Sequence, residues 1–359
     1  MQDTAQFLYL FLSPTLDSCT LSSLYPESKS IGTRCVVLKE LVILPAVGRT
    51  TDGSLLSDTI RSCKKLVRVC CSPLDSAAWK HLTSLHTLRA IEIDGSNCPL
   101  DLDDFIFAPF LNVTALSFVV DKAEDNIRLI QRSQFPSLKE FEFTMGSQAL
   151  SWAEVERLFR GLSQCKACQT LERITLDSHY ASEIQQRTGD SFTAIRQLSR
   201  FTQLQSLSLS IGNFIYPDND LLLEAASSWP HLRCLKLVDY YFPRPSAVTF
   251  CGLFAALRLC PHLHTLWLSM DAVNIDTDPT AESFQHTSLK TFHVLSSSVA
   301  HPEAVACIIS SMLPCVAQVD YDTWSEDNIA ISWAAVNNLL KIFKSSAAAV
   351  RGITEVKQY

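Results

Sequence analysis

The chain is poor in glycine. Ten residues of 359 leave little material for the glycine-rich loops that cradle phosphates, and no such motif occurs. Positive charge is also short, with 30 Lys and Arg against 37 Asp and Glu and a net charge of −7. That balance argues against a nucleic-acid binder, which needs a basic patch. No stretch approaches the roughly 20 apolar residues that a membrane-spanning helix requires. GxSxG and HExxH are missing as well, so no catalytic residue, cofactor or metal is expected. The apolar segment FLYLFL near the start follows Asp3 and lacks the basic lead-in and small-residue cleavage site of a secretory signal.

Cysteine is not scarce, but its thirteen copies are odd in number and scattered. Cys19, Cys35, Cys63, Cys71, Cys168 and Cys260 fall at expected core positions. They read as small buried hydrophobes in a reducing compartment, cytoplasmic or nuclear, and not as a disulfide framework. Cys165 and Cys168 form a single CxxC, whereas a structural zinc needs a second pair or suitable histidines. Asp101, Asp103 and Asp104 lack the spaced ligands and turn glycine of a calcium loop, so a solvated loop is expected there. His231 and His262 follow prolines in WPHL and CPHL, which suits a turn role.

What the chain does have is a recurring phrase. An apolar residue, two variable ones, an apolar one, one variable and another apolar one recur from Leu16, Leu38, Leu66, Leu88, Val113, Leu138, Leu171, Leu204, Leu232, Leu263, Leu289 and Val316. LRAIEI, LQSLSL, LRCLKL and LHTLWL are clear copies. The starts span 300 residues in eleven steps, a mean of about 27, near the top of the leucine-rich-repeat range of about 20–29. Three residues before each phrase, ten of twelve residues are apolar or Cys, and one residue later Pro stands at 14, 136, 230, 261 and 314. Proline there stops a helix and opens an extended segment.

Helical patterns precede the phrases, as in 54–63, 151–162, 192–201, 219–229, 250–260 and 302–313. Ser151 and Glu154 have the spacing of a capping box. The order of strand, loop, helix and strand makes the strands parallel. The expected fold is α/β, a leucine-rich-repeat solenoid or horseshoe of about twelve repeats, with a parallel concave sheet and convex helices. Residues 1–15 would be a truncated edge of the solenoid and 16–325 the repeat domain. Residues 326–359 would be a cap helix carrying Trp333, Val336, Leu339, Leu340 and Phe343 on one stripe, with a tail free to fray.

In each phrase the first, fourth and sixth residues should point into the core and the fifth should point out. The fifth positions are Thr20, Val42, Cys70, Glu92, Ser117, Glu142, Thr175, Ser208, Lys236, Trp267, His293 and Asp320. Exposed Trp, Tyr and Arg are frequent binding anchors. The candidate protein-binding set is therefore Lys236, Asp239, Tyr240, Trp267, Met270, His293, Asp320 and Trp324.

LFLSPTL near the start, CPHLHTLWLSMDA at 260–272, HTSLKTFHVLSSS and LPCVAQVDYD within 286–322 carry a family likeness. Over roughly residues 7–345 the chain resembles the repeat region of fungal F-box proteins with leucine-rich repeats. The resemblance implies that the repeats recruit substrates. In that family an F-box docks on the Skp adaptor of a cullin-type ubiquitin ligase. Residues 1–15 are too short for an F-box, so a Skp-type adaptor is expected as a partner only if one exists upstream. The phrase also lacks the usual Asn at its ninth position, where Ala46, Gly146 and Trp324 are examples; uneven curvature follows.

The expected function is a protein–protein interaction scaffold, recognising substrates in a ubiquitin-ligase context. One alternative is a decayed or truncated paralogue without ligase coupling. The other is a hydrolase or transferase with an unrecognised site. The expected partner is an unknown protein substrate, and neither nucleic acid nor membrane.

Overall fold

The computed structural model describes residues 11–44, 52–95, 108–148, 150–178, 191–211, 217–238, 246–281, 283–322 and 327–356; for 152, 191–194, 327 and 347–356 it describes the backbone alone. The chain divides into two compact units, Met1–Ile184 and Gln185–Tyr359.

Among the described residues the first unit carries seven parallel strands in chain order: β1 (Ser18–Leu21), β2 (Glu40–Ile43), β3 (Arg68–Cys71), β4 (Ala90–Asp94), β5 (Ala115–Val120), β6 (Glu140–Met145) and β7 (Arg173–Ser178). Their register is the register of the phrase. Cys19 faces Leu41, then Val69, Ile91, Leu116, Phe141 and Ile174 in line, all at fourth positions. The reason is burial: a slip of one residue would turn every apolar side chain out and every polar one in. The helices are α1 (Ile31–Arg34), α2 (Gly53–Ser62), α3 (Ser76–Ser84), α4 (Glu124–Arg132) and α5 (Trp152–Gln164). Their buried stripes, such as Leu55, Leu56 and Ile60 or Ile127, Leu129 and Ile130, close the ridge above the strands.

The predicted capping box at α5 is present. The Ser151 hydroxyl accepts from Glu154 N–H at 3.3 Å, and the Glu154 carboxylate accepts from Ser151 N–H at 2.9 Å. One expectation fails just after it. Cys168 is half-buried, while Cys165 is 1% exposed and takes the core place. A short 3-10 turn over Ala167–Gln169, entered through Lys166 at φ 65°, displaces Cys168 from the interior.

The second unit carries β8 (Ser206–Ile211), β9 (Cys234–Val238), β10 (Thr265–Trp267), β11 (Thr291–His293) and β12 (Val319–Asp320), again parallel and in chain order. Leu207, Leu235, Leu266, Phe292 and Val319 align at fourth positions. The helices are α6 (Ser191–Leu198), α7 (Asn219–Ser228), α8 (Phe250–Leu259), α9 (Pro302–Met312) and α10 (Asp327–Val356). Between β10 and β11 the described residues form no helix. Phe284 fills that place, its ring centroid 6.5 Å from Phe254 and 6.3 Å from His286.

α10 closes the unit. Trp333, Val336 and Leu340 are buried, while Leu339 and Phe343 are half-buried. The helix continues through the tail to Val356. Its Asn337 brackets the edge strand, accepting from Val319 N–H at 2.8 Å and donating to Val319 C=O at 2.9 Å. An edge strand's bare backbone groups invite pairing with other chains, and Asn337 satisfies two of them.

Each unit is therefore a run of α/β leucine-rich repeats, with twelve strands between them among the described residues. Among the described residues no helix is long and apolar enough to cross a membrane, and no three His, Cys, Asp or Glu side chains are grouped to hold a metal. Twelve cysteines are described, none of them in a disulfide. The acidic cluster at Asp101, Asp103 and Asp104 lies outside the described residues.

Candidate functional site

The parallel register of the second unit places the fifth residues of four phrases side by side. Lys236 on β9 is level with Trp267 on β10, Trp267 with His293 on β11, and His293 with Asp320 on β12. Strands lie about 4.8 Å apart, so planar side chains at such positions can stack. Trp267 and His293 do: their ring centroids are 4.4 Å apart and their planes 21° apart. Lys236 Nζ lies over the other side of the indole, 4.5 Å from its centroid. A cation over tryptophan contributes about 0.5–1 kcal/mol at an exposed site. The three side chains form one half-buried column across three strands.

His293 is the best-held member. Its Nδ1 accepts the Leu295 N–H at 3.1 Å, so the neutral ring carries its proton on Nε2. Nε2 lies 3.7 Å from the Asp322 carboxylate, and both side chains are nearly enclosed. Burial pushes the imidazole below its ordinary pKa, against the pull of Asp322 and Asp320, while Lys236 adds to the depression. Burial also lifts the Asp322 carboxyl, opposed by His293 and by a hydrogen bond from Ser296. The turn that supplies the Leu295 amide is tight, with Leu295 at φ 52° and 1% exposed. The Asp322 N–H donates to the Leu295 carbonyl at 3.1 Å, tying the turn to the next repeat. Asp320 Oδ1 accepts from Gln318 Nε2 at 3.1 Å.

Behind the column, Ser297 joins three elements. Its hydroxyl accepts the Met270 N–H at 2.8 Å and donates to the Val294 carbonyl at 2.5 Å. Its own carbonyl accepts the Trp333 indole N–H of α10 at 2.7 Å.

Of the eight residues expected on the binding face, the structure brings together Lys236, Trp267, His293 and Asp320. Met270 is a correction. It is 2% exposed, because the alternation that turns Trp267 outward continues past β10 and carries Leu268 and Met270 inward. Asp239, Tyr240 and Trp324 lie outside the described residues, as do Tyr241, Phe242 and Arg244. Sequence reasoning missed Asp322 and Ser297, which belong to turns beyond the phrase. His231 and His262 are exposed turn residues, as their position after proline suggested.

No protein-family model matches the chain, and no curated protein sequence matches it. Among solved structures it is similar to an internalin (inlF) from Listeria monocytogenes str. 4b F2365. Identity is 14%, the TM-score is 0.45, and the match covers 84% of this chain and 78% of the internalin.

Proposed function

We propose that this chain is a protein-interaction scaffold and that the Lys236–Trp267–His293 column anchors its partner. The observation that carries the reading is the stack itself: a tryptophan presented outward on a parallel repeat sheet, held between a cation and an imidazole. A surface of this kind offers a preorganised aromatic face, so little rotamer entropy is lost on docking. Asp320 belongs to the same face, and Asp239, Tyr240 and Trp324 complete the proposed set. The odd number and scatter of the cysteines support a reducing setting, cytosol or nucleus.

The test compares proteins captured by the wild type with those captured by Trp267→Ala and by Ser208→Ala, another outward position. Affinities for any purified protein that distinguishes them then follow. Loss of a tryptophan anchor costs about 2 kcal/mol or more, roughly thirtyfold in affinity. Equal affinities for two folded variants would move the site off this column.

In the finer form of the reading, the bound protein is a substrate of a cullin-type ubiquitin ligase. Its support is the family resemblance of 260–272 and 286–322. Co-purification of the native protein with a Skp-type adaptor supports that form. Failure to co-purify removes it and leaves the scaffold reading standing.

A further inference from the structure

The outward face of the first unit holds a groove of a different chemistry. Its floor is Ala90, Ala115 and Ser117, where side chains end at Cβ or Oγ. Arg68 and Glu92 rise on one side, and Glu140, Glu142 and Arg173 on the other. The register explains the shape. Arg68, Ala90, Ala115 and Glu140 stand level across β3 to β6, so two long side chains flank two methyl groups over three strand spacings, about 14 Å. The groove is open and holds about 450 Å³.

The groove itself is lined by Glu92, Glu140 and Glu142 against Arg68 and Arg173, and the face around it adds acidic residues. The outward positions of β2 to β7 carry Glu40, Glu92, Asp94, Glu140, Glu142 and Asp177, against Arg68 and Arg173. Arg68 is shared between Glu40 at 3.4 Å and Glu92 at 3.1 Å, and Arg173 is paired with Glu140. Both guanidiniums are therefore already engaged. Glu142 has the Ser117 hydroxyl at 3.3 Å and no cation among the described residues. Nearby cations at the strand edge are engaged elsewhere, Lys139 by Glu172 at 2.8 Å and Arg89 by the Asn112 carbonyl at 3.0 Å. The crowding of negative charge is felt locally. Burial and then Glu92 raise the Asp94 carboxyl, and the same two causes lift the Cys70 thiol to about 11.

We propose that this groove receives an arginine or lysine side chain from a basic segment of a partner protein. The aliphatic stem would lie over Ala90 and Ala115, and the charged head would sit between Glu92 and Glu142. Long basic side chains bury their stems while keeping the head among polar groups, and the groove offers both surfaces. An acidic segment would meet the Glu142 carboxylate, which has no cation beside it among the described residues. The inference stands on the first unit alone and does not depend on the Trp267 column.

The probe is a fluorescein-labelled hexa-arginine peptide, with hexa-glutamate as its counterpart, followed by anisotropy at low and high salt. Wild type is expected to bind the arginine peptide and not the glutamate one. Ala115→Arg fills the floor with like charge and is expected to weaken binding by about tenfold or more. Ser117→Arg makes the same test should Ala115→Arg fail to fold, with melting curves as the check. Glu142→Gln is expected to weaken binding about threefold, the scale of an exposed charge pair. Glu303→Gln removes an exposed carboxylate on α9 and is expected to change nothing. Absence of binding by wild type, binding unchanged by the folded arginine variant, or equal losses for Glu142→Gln and Glu303→Gln would overturn the proposal.

Discussion

His293 illustrates how one residue serves two ends. Its ring stacks on Trp267 and its Nδ1 accepts the Leu295 amide, and both roles suit the neutral form. The folded pKa lies below the ordinary value of 6.5. As pH falls below about 6.5, the unfolded chain takes up a proton that the folded one resists. Stability contributed by the neutral ring is thus full above that pH and is lost as pH falls through the folded value. Denaturant melts at pH 7.5 and 5.5 should show a loss for the wild type and a smaller loss for His293→Gln. An identical loss in both would show that His293 does not carry the effect.

Gly252 is a residue fixed by space. A methyl group there would lie 1.9 Å from Asn219 Oδ1. Asn219 bridges α7 to the start of α8, accepting from Thr249 N–H at 2.9 Å and donating to its hydroxyl at 3.0 Å. Gly252→Ala should displace it and cost about 1–3 kcal/mol. Since about 1–2 °C is lost per kcal/mol in a chain this long, a small but measurable fall in Tm is expected. An unchanged Tm would mean that α7 and α8 are spaced more widely than described.

At the scale of the element, most of the structure was legible because burial has a period. Strands alternate and helices repeat over three to four residues. Positions such as Leu235 and Leu266, at 4% and 1% exposure, were therefore marked by spacing alone. The Ser151 and Glu154 box was legible for the same reason, as a fixed offset within one helix. Ser151→Ala is expected to cost about 1 kcal/mol, read as a lower midpoint in a urea melt; no shift would place the cap elsewhere. What the sequence did not reveal lies beyond the periodic segments. Ser297 and Asp322 act through turns, Asn337 reaches from α10 to β12, and the 3-10 turn that displaces Cys168 interrupts the repeat where no local spacing marks it. The site was half legible. The outward column emerged from the phrase, whereas Met270 was misplaced by counting it with the rim instead of carrying the alternation past Trp267.

At the scale of the whole molecule, the thiols report on the same packing. Burial raises the Cys63, Cys165 and Cys260 thiols to about 11, so little thiolate forms there near neutral pH. Cys251, Cys307 and Cys315 are exposed. A thiol reagent at pH 8 should modify those three quickly and the buried ones only after denaturation. Denatured, unreduced protein should then yield nearly all thirteen thiols and no stoichiometric zinc. A missing pair of thiols, or one zinc per chain released on mutating Cys165, would contradict the interior as described.

A single rule organises the repeats: the fourth and sixth residues of the phrases build the core while the fifth stand on the outward face, with the covered Cys70 and the half-buried Tyr321 as the departures. Leu266 and Trp267 are neighbours that the rule separates, one 1% exposed and the other half-buried in the stacked column. Thermal melting of Leu266→Asp beside Trp267→Asp tests it directly. A carboxylate at 266 enters an apolar interior without a partner, a cost of several kcal/mol, and cooperative melting should be lost. At 267 it faces outward, so melting should stay within about 5 °C of wild type while capture of the partner is lost. Equal damage from both substitutions, or a stable Leu266→Asp, would break the rule.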